Sequence, residues 1–121
     1  MRVDVAVRQL EKSLECLSWD ASRQIDHVRG LGVGPDELAL DFDDSFRVVS
    51  GMIAEGVIPD SLGGPLGSVD AILEDMTRTP EEKWSESAVR NSQVWCDLRV
   101  AARKALDVLR GLEVSGAIET T

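Results

Sequence analysis

Side chains that could build a catalytic or metal site are scarce in this sequence. Its 121 residues include no tyrosine, one histidine and two cysteines. A metal or acid–base site needs several His, Cys or carboxylate groups that converge, and His27 has no partner at ligand spacing. Cys16 and Cys96 share no motif, which favours two free thiols over a disulfide between the terminal helices. We therefore expect no metal, no cofactor and no enzymatic activity.

Long hydrophobic runs are also missing from the chain. No window approaches the roughly eighteen uncharged apolar residues of a membrane-spanning helix. The N-terminal segment MRVDVAVRQLEKSLE carries charges throughout and contains no apolar core of a signal peptide. These absences predict a cytoplasmic protein. A composition of 43 % hydrophobic and 29 % charged residues is that of one globular domain spanning residues 1–121.

Positive charge is almost absent from the middle of the chain. Residues 35–76 contain ten acids and one base, Arg47, whereas residues 1–34 and 77–121 each hold equal numbers of acids and bases. The middle third therefore carries the net charge of −9 of the whole chain. Such a charge argues against nucleic acid and anionic membranes as partners. It favours a basic protein as the partner.

Apolar residues recur at intervals of three and four along most of the chain, which predicts helices. The first such segment extends to Val28, either as one helix or with a break near 18–20 in which Ser18 caps a second helix. Glycines at positions 30, 32 and 34 end it. Its apolar face consists of Val3, Val7, Leu10, Leu14, Leu17, Ala21, Ile25 and Val28.

The middle of the chain allows two interpretations of its first residues. The spacing predicts a helix over most of 43–55, ended by Gly56. Residues 36–42 stay open, because the alternation of Leu38, Leu40 and Phe42 favours an extended segment. A helix that begins with Pro35 at its first position is the alternative, since its first turn would then be acidic.

The second half of the chain predicts shorter helices and one long one. Residues 57–68 are rich in turn residues, and a short helix follows with Val69, Ile72, Leu73 and Met76 facing inward. Thr79 and Glu82 have the spacing of a capping box, which predicts a brief helix through Trp84 and a restart at Ser85. The last helix is expected from about Ser92 to Arg110, ended by Gly111. Residues 113–121 are expected to fray.

Taken together, these segments predict an all-α, single-domain bundle of about four to five helices. Two long terminal helices would enclose shorter central ones. No sustained alternation of apolar and polar residues argues for a sheet.

Five acids within nine residues form the densest polar feature: Asp36, Glu37, Asp41, Asp43 and Asp44. Two interpretations stay open and are compatible. The acids can form a solvated face near a helix N-terminus, where the macrodipole favours them, or a docking patch for a cationic protein. A calcium loop is disfavoured, because Phe46 stands where such a loop needs glycine and Met52 where it needs glutamate. Among the aromatic residues, Trp84 follows a charged turn and is the candidate interface anchor; the alternative is that Trp84 belongs to the core.

The segments PDELALDFDDSF, SVDAILEDM and EEKWSESAVRNSQVWCDLRVAARKAL resemble small, acidic, uncharacterised helical proteins of actinobacteria over about residues 35–109. Such proteins look like the immunity proteins of bacterial toxin–immunity pairs. The resemblance implies a protein that neutralises a cationic toxin by stoichiometric occlusion through the acidic patch. The alternative is a helical regulatory or assembly module, homodimeric through an apolar helix face.

Overall fold

A computed structural model describes residues 2–79 and 82–118, and every regular element in these ranges is helical. The α-helices are α1 (Val3–Ser18), α2 (Ala21–Leu31), α3 (Asp36–Ala54), α4 (Gly63–Arg78), α5 (Glu86–Asn91) and α6 (Gln93–Val114), and a 3₁₀ turn (Asp60–Leu62) precedes α4. The predicted all-α bundle is confirmed. The predicted number of four to five helices is wrong, since the described residues contain six.

Helix α1 packs against both α3 and α6. Helix α4 packs against α6 and against α3, whereas the short α5 bridges α2 and α6. The buried face of α1 consists of Ala6, Val7, Leu10, Ser13, Leu14, Cys16 and Leu17. Trp95 of α6 is fully buried, and Phe46 of α3 is half-buried and stacked on Phe42.

The predicted break after the first helix is confirmed, but its cap is a different residue. The hydroxyl of Ser18 donates back to the carbonyl of Glu15 (2.8 Å) and so belongs to the end of α1. The carboxylate of Asp20 accepts from the backbone N–H of Arg23 (2.9 Å) and caps α2. Gly32, at φ 72°, ends α2 in the left-handed conformation that glycine adopts most readily.

Helix α3 includes the whole of the segment left open by the sequence. Leu38 and Phe42 are buried and four residues apart, whereas Leu40 between them is 53 % exposed. Leu38 and Phe42 therefore share the buried side of a helix, and residues 36–42 are not extended. The helix predicted over most of 43–55 is confirmed, and it begins at Asp36, one residue after the start at Pro35 that the alternative gave. Gly56, at φ 77°, follows the helix end as predicted.

Helix α4 begins earlier than the glycines of its first turns suggest. Residues 63–68 are helical rather than a loop, because Leu66 joins Val69, Leu73 and Met76 on the buried face. The brief helix predicted through Trp84 is absent from residues 82–84, which have no helical structure, and Pro80 and Glu81 lie outside the described residues. The restart at Ser85 is confirmed, since its hydroxyl accepts from the N–H of Ala88 (3.1 Å) and caps α5.

Helix α6 continues through Gly111 to Val114, so the predicted stop at this glycine is wrong. The turn comes at Gly116 (φ 79°), where the N–H groups of Ala117 and Ile118 donate to the carbonyl of Leu112 (3.0 and 3.3 Å). Ile118 is 2 % exposed. The expected fraying of residues 113–121 is therefore wrong for 113–118, and 119–121 lie outside the described residues.

A polar network centred on buried Gln24 connects four helices by hydrogen bonds. The side-chain amide of Gln24 donates to the carbonyls of Cys16 (3.1 Å) and Leu17 (3.0 Å) at the end of α1. Its oxygen accepts from the guanidinium of Arg99 on α6 (3.0 Å), which also donates to the carbonyl of Val89 on α5 (2.5 Å). The network fixes α2 and α5 relative to the α1–α6 pair.

Candidate partner-binding surface

The acids singled out in the sequence all lie on α3, on the side away from the core. Leu38, Phe42, Ser45 and Val49 form the buried side of this helix. We use the name α3 acidic face for the five acids Asp36, Glu37, Asp41, Asp43 and Asp44. Asp36 and Glu37 occupy the first turn, where the helix macrodipole stabilises negative charge. The exposed side chain of Leu40 stands among these carboxylates.

The α3 acidic face has one flank toward α4 and another toward α1 and α2. Asp43 lines a groove between α3 and α4, of about 430 Å³, which we name the α3–α4 groove. Its apolar surface comes from Ala39, Leu40 and Leu73, and its polar side chains are Asp43, Asp70, Glu74, Thr77 and Arg78. Asp70 and Glu74 contribute to the net charge of the middle third, but the sequence does not assign them to the site, because their contact with α3 is tertiary.

Carboxylates within the α3–α4 groove interact with one another. Burial raises the pKa of Asp70, and the negative charges of Glu74 and Asp43 raise it further. Two arginines sit at the edges, where Arg47 pairs with Asp43 (3.0 Å) and Arg78 pairs with Glu74 (2.8 Å). Both are exposed i,i+4 pairs that solvent screens. A cation entering the groove would favour the ionised form of Asp70, so the groove is electrostatically suited to positive charge.

Asp41 and Asp44 lie on the other flank, in a second groove of about 420 Å³ between α3, α1 and α2. Lys12, Cys16 and His27 also line it. His27 is half-buried on α2 with its ring edge-on to Trp19, at a centroid distance of 5.3 Å. Both cysteines are free thiols, as expected, with Cys16 buried and Cys96 exposed. Burial raises the pKa of the Cys16 thiol, which disfavours the nucleophilic thiolate.

Trp84 occupies a different part of the molecule from the α3 acidic face. It precedes α5, which packs against α2 and α6, and its backbone N–H donates to the carboxylate of Glu82 (2.5 Å). Its ring is edge-on to Trp95, with centroids 5.9 Å apart, and it is half-buried. Two exposed apolar side chains lie beside α3 acids. Leu40 lines the α3–α4 groove with Asp43, and Leu31 of α2 lines the second groove with Asp41 and Asp44.

Two classes of site are missing from the described part of the chain. Within residues 2–79 and 82–118, no group of three or more His, Cys, Asp or Glu side chains is arranged to hold a metal ion. In the same ranges, none of the helices combines the length and the apolar character needed to cross a membrane. The dominant surface feature that remains is a one-signed face with an exposed leucine at its centre.

Comparisons with protein-family models, with the curated proteins and with the solved structures find no match to this chain.

Proposed function

We propose that this protein binds a basic protein partner through the α3 acidic face and the adjoining α3–α4 groove. The mechanism is stoichiometric occlusion of the partner's cationic surface, as an immunity protein would use against a nuclease-type toxin. The observation that carries this proposal is a set of seven carboxylates on two adjacent helices, with exposed Leu40 in the groove that holds three of them, Asp43, Asp70 and Glu74. Five of these belong to α3, and Asp70 and Glu74 of α4 complete the set.

Electrostatic steering is the first role of this surface. Exposed charges interact over a Debye length of about 8 Å at physiological ionic strength. A one-signed face accelerates the encounter with an oppositely charged partner by about 10- to 1,000-fold, and this acceleration declines as salt is added. The carboxylates of Asp36, Glu37, Asp41, Asp43 and Asp44 supply the field. They also provide acceptors for lysine and arginine side chains in the bound state.

Apolar contact is the second role, and we assign it to Leu40. An apolar residue surrounded by polar groups is the usual arrangement at the centre of a protein interface. Leu40 is 53 % exposed and lines the α3–α4 groove with Leu73 and Ala39. The sequence nominates Trp84 as this anchor. The packing of Trp84 against Trp95 and the position of Leu40 on α3 itself support Leu40 in this role.

The experiment compares capture of a partner by three forms of the tagged protein from a lysate of the native organism, at about 0.15 M salt. The first is the wild type, and the second is the triple variant Asp41→Asn, Asp43→Asn, Asp44→Asn. The third is a control matched in charge, Asp26→Asn, Asp60→Asn, Asp107→Asn, whose exposed acids lie on other elements. Any basic protein captured by the wild type is then purified for association kinetics.

We expect the wild type and the matched control to capture the same basic protein and the triple variant to lose it. At low salt, the association rate of the triple variant should be at least about tenfold below that of the wild type. The variant Leu40→Ser should change mainly the dissociation rate, since removal of an apolar contact leaves steering intact. An unchanged association rate for the triple variant at low salt would refute the proposal.

A further inference from the structure

A third groove lies between α4 and α6, on the flank of α4 opposite to the α3–α4 groove. Its volume is about 470 Å³, and we name it the α4–α6 groove. The side chains that line it are Pro65 and Ser68 of α4 and Asp97, Val100, Ala101 and Lys104 of α6. Val100 is 56 % exposed and is the largest apolar side chain that α6 contributes to the groove.

The α4 side of this groove is formed by Pro65 and Ser68, which both have short side chains. Small residues allow close approach of helix backbones, but they do not identify what approaches. The charges along α6 supply that information.

Asp97 and Lys104 are placed symmetrically about the point between Val100 and Ala101 on α6. They are seven residues apart, which is two helical turns, so they share a face and are separated by about 10.5 Å along the axis. Suppose that two copies of α6 pack antiparallel about a two-fold axis through this point. Asp97 of each copy then faces Lys104 of the other, and Val100 faces Ala101. The surface is therefore complementary to itself.

The local interactions leave the charges of Lys104 and Asp97 available for such a contact. In the described ranges 2–79 and 82–118, no carboxylate forms an ion pair with Lys104. Asp97 accepts one hydrogen bond from the amide of Gln93 (3.0 Å) and retains further acceptor capacity. By contrast, Arg103 is paired with Asp107 on its own helix (3.7 Å).

We propose that a second copy of this chain occupies the α4–α6 groove in an antiparallel, two-fold symmetric dimer. Val100 of each copy inserts into the groove of the other, against Pro65 and Ser68. An interface of standard size takes about 800 Å² from each partner, which is about an eighth of the 6615 Å² surface of the chain. The dimer uses the flank of α4 opposite to Asp70 and Glu74. It therefore leaves the α3 acidic face open, and this inference is independent of the proposed function.

Charge reversal tests both the dimer and its register. Asp97→Lys places a second lysine opposite Lys104 at both ends of the contact, and Lys104→Asp places two acids there. Each single variant should dimerise at least about tenfold more weakly than the wild type, because like charges then face each other. An equimolar mixture of the two variants should recover association, since each copy then faces opposite charge in the other. Asp26→Lys, on α2, is the control with a matched charge change.

Sedimentation equilibrium measures the result over a range of concentrations. As concentration increases, we expect the apparent mass of the wild type and of the control to rise from the chain mass of 13.2 kDa toward twice that value. The equimolar mixture of the two variants should show the same rise. A wild type that stays at the chain mass up to about 1 mM would overturn the proposal. A dimer that both single variants retain, or a mixture that does not associate, would also overturn it. Capture of a basic partner by the α3 acidic face should be unaffected by Asp97→Lys.

Discussion

Replacing Gln24 with alanine removes three hydrogen bonds from the interior of the bundle at once. The side chain is 1 % exposed on α2, and its amide donates to the carbonyls of Cys16 and Leu17. These carbonyls belong to the last turn of α1, which lacks the usual i+4 donors; the carbonyl of Cys16 also accepts a long hydrogen bond from the N–H of Trp19 (3.4 Å). The amide oxygen accepts from the guanidinium of Arg99.

The expected loss of unfolding free energy depends on the type of each hydrogen bond that is removed. A neutral hydrogen bond contributes about 1 kcal/mol net, and one to a charged group contributes about 1.5–3 kcal/mol. Arg99 is partly exposed, so water replaces part of its lost contact, whereas the two carbonyls stay buried. We expect Gln24→Ala to lower the free energy of unfolding by about 3 kcal/mol, a large part of the roughly 5–15 kcal/mol typical of a domain.

Urea unfolding, followed by tryptophan fluorescence, measures this loss. The control is Gln9→Ala, an exposed position on α1 that should change the free energy of unfolding by less than about 0.5 kcal/mol. A loss below about 1 kcal/mol for Gln24→Ala would mean that water reaches the end of α1 and satisfies its carbonyls. The role of the network in fixing α2 and α5 would then be wrong.

Three further predictions concern the ends of helices. Ile118→Ala should lower the free energy of unfolding by about 2–4 kcal/mol, because the side chain is 2 % exposed, and a near-zero loss by urea titration would show a frayed tail. Gly32→Ala should lower the melting temperature, since φ 72° costs about 1–2 kcal/mol for alanine, whereas Gly30→Ala inside α2 should raise it. Burial and the neighbouring Glu11 raise the pKa of Glu113 above its ordinary value of 4.5. The folded state therefore favours the protonated carboxyl of Glu113. This group stabilises the fold below the ordinary pKa, and its contribution is lost as pH rises through the raised pKa. Glu113→Gln should therefore stabilise the protein at pH 7 and lose this gain below about pH 4, as measured by urea titration at both pH values.

The helical nature of the chain was predictable, because apolar spacing of three and four is a local property. The errors occurred where a local signal competes with packing. Gly111 is typical of a helix end, yet α6 continues past it. The carbonyl of Leu112 then accepts from the N–H groups of Ala117 and Ile118, and Ile118 is buried. The glycines at 63 and 64 are typical of a loop, yet Leu66 must reach the core from a helix. Burial decided the outcome at each of these positions.

The candidate surface was predictable only as a set of residues on one segment. The acids of α3 stood out by their density, and their charge indicated the class of partner. The contribution of Asp70 and Glu74 depends on which helix lies beside α3, and the intervals along the chain do not determine that neighbour. The same limit applies to Trp84, whose distance from the acids depends on how the helices pack. Leu40 lies on α3 with the acids, and its exposure follows once residues 36–42 are helical.

The Gln24–Arg99 contact joins residues 75 positions apart, and Arg110 reaches Glu15 across 95 positions (2.5 Å). Helix α1 is therefore synthesised long before α6, one of the two helices that pack against it. At about 5–20 residues per second, synthesis of about 75 residues takes roughly 4–15 s. During this interval the leucines at positions 10, 14 and 17 have no α6 to cover them. The nascent chain consequently offers a hydrophobic helix face to chaperones, and the bundle closes only when its last helix has emerged.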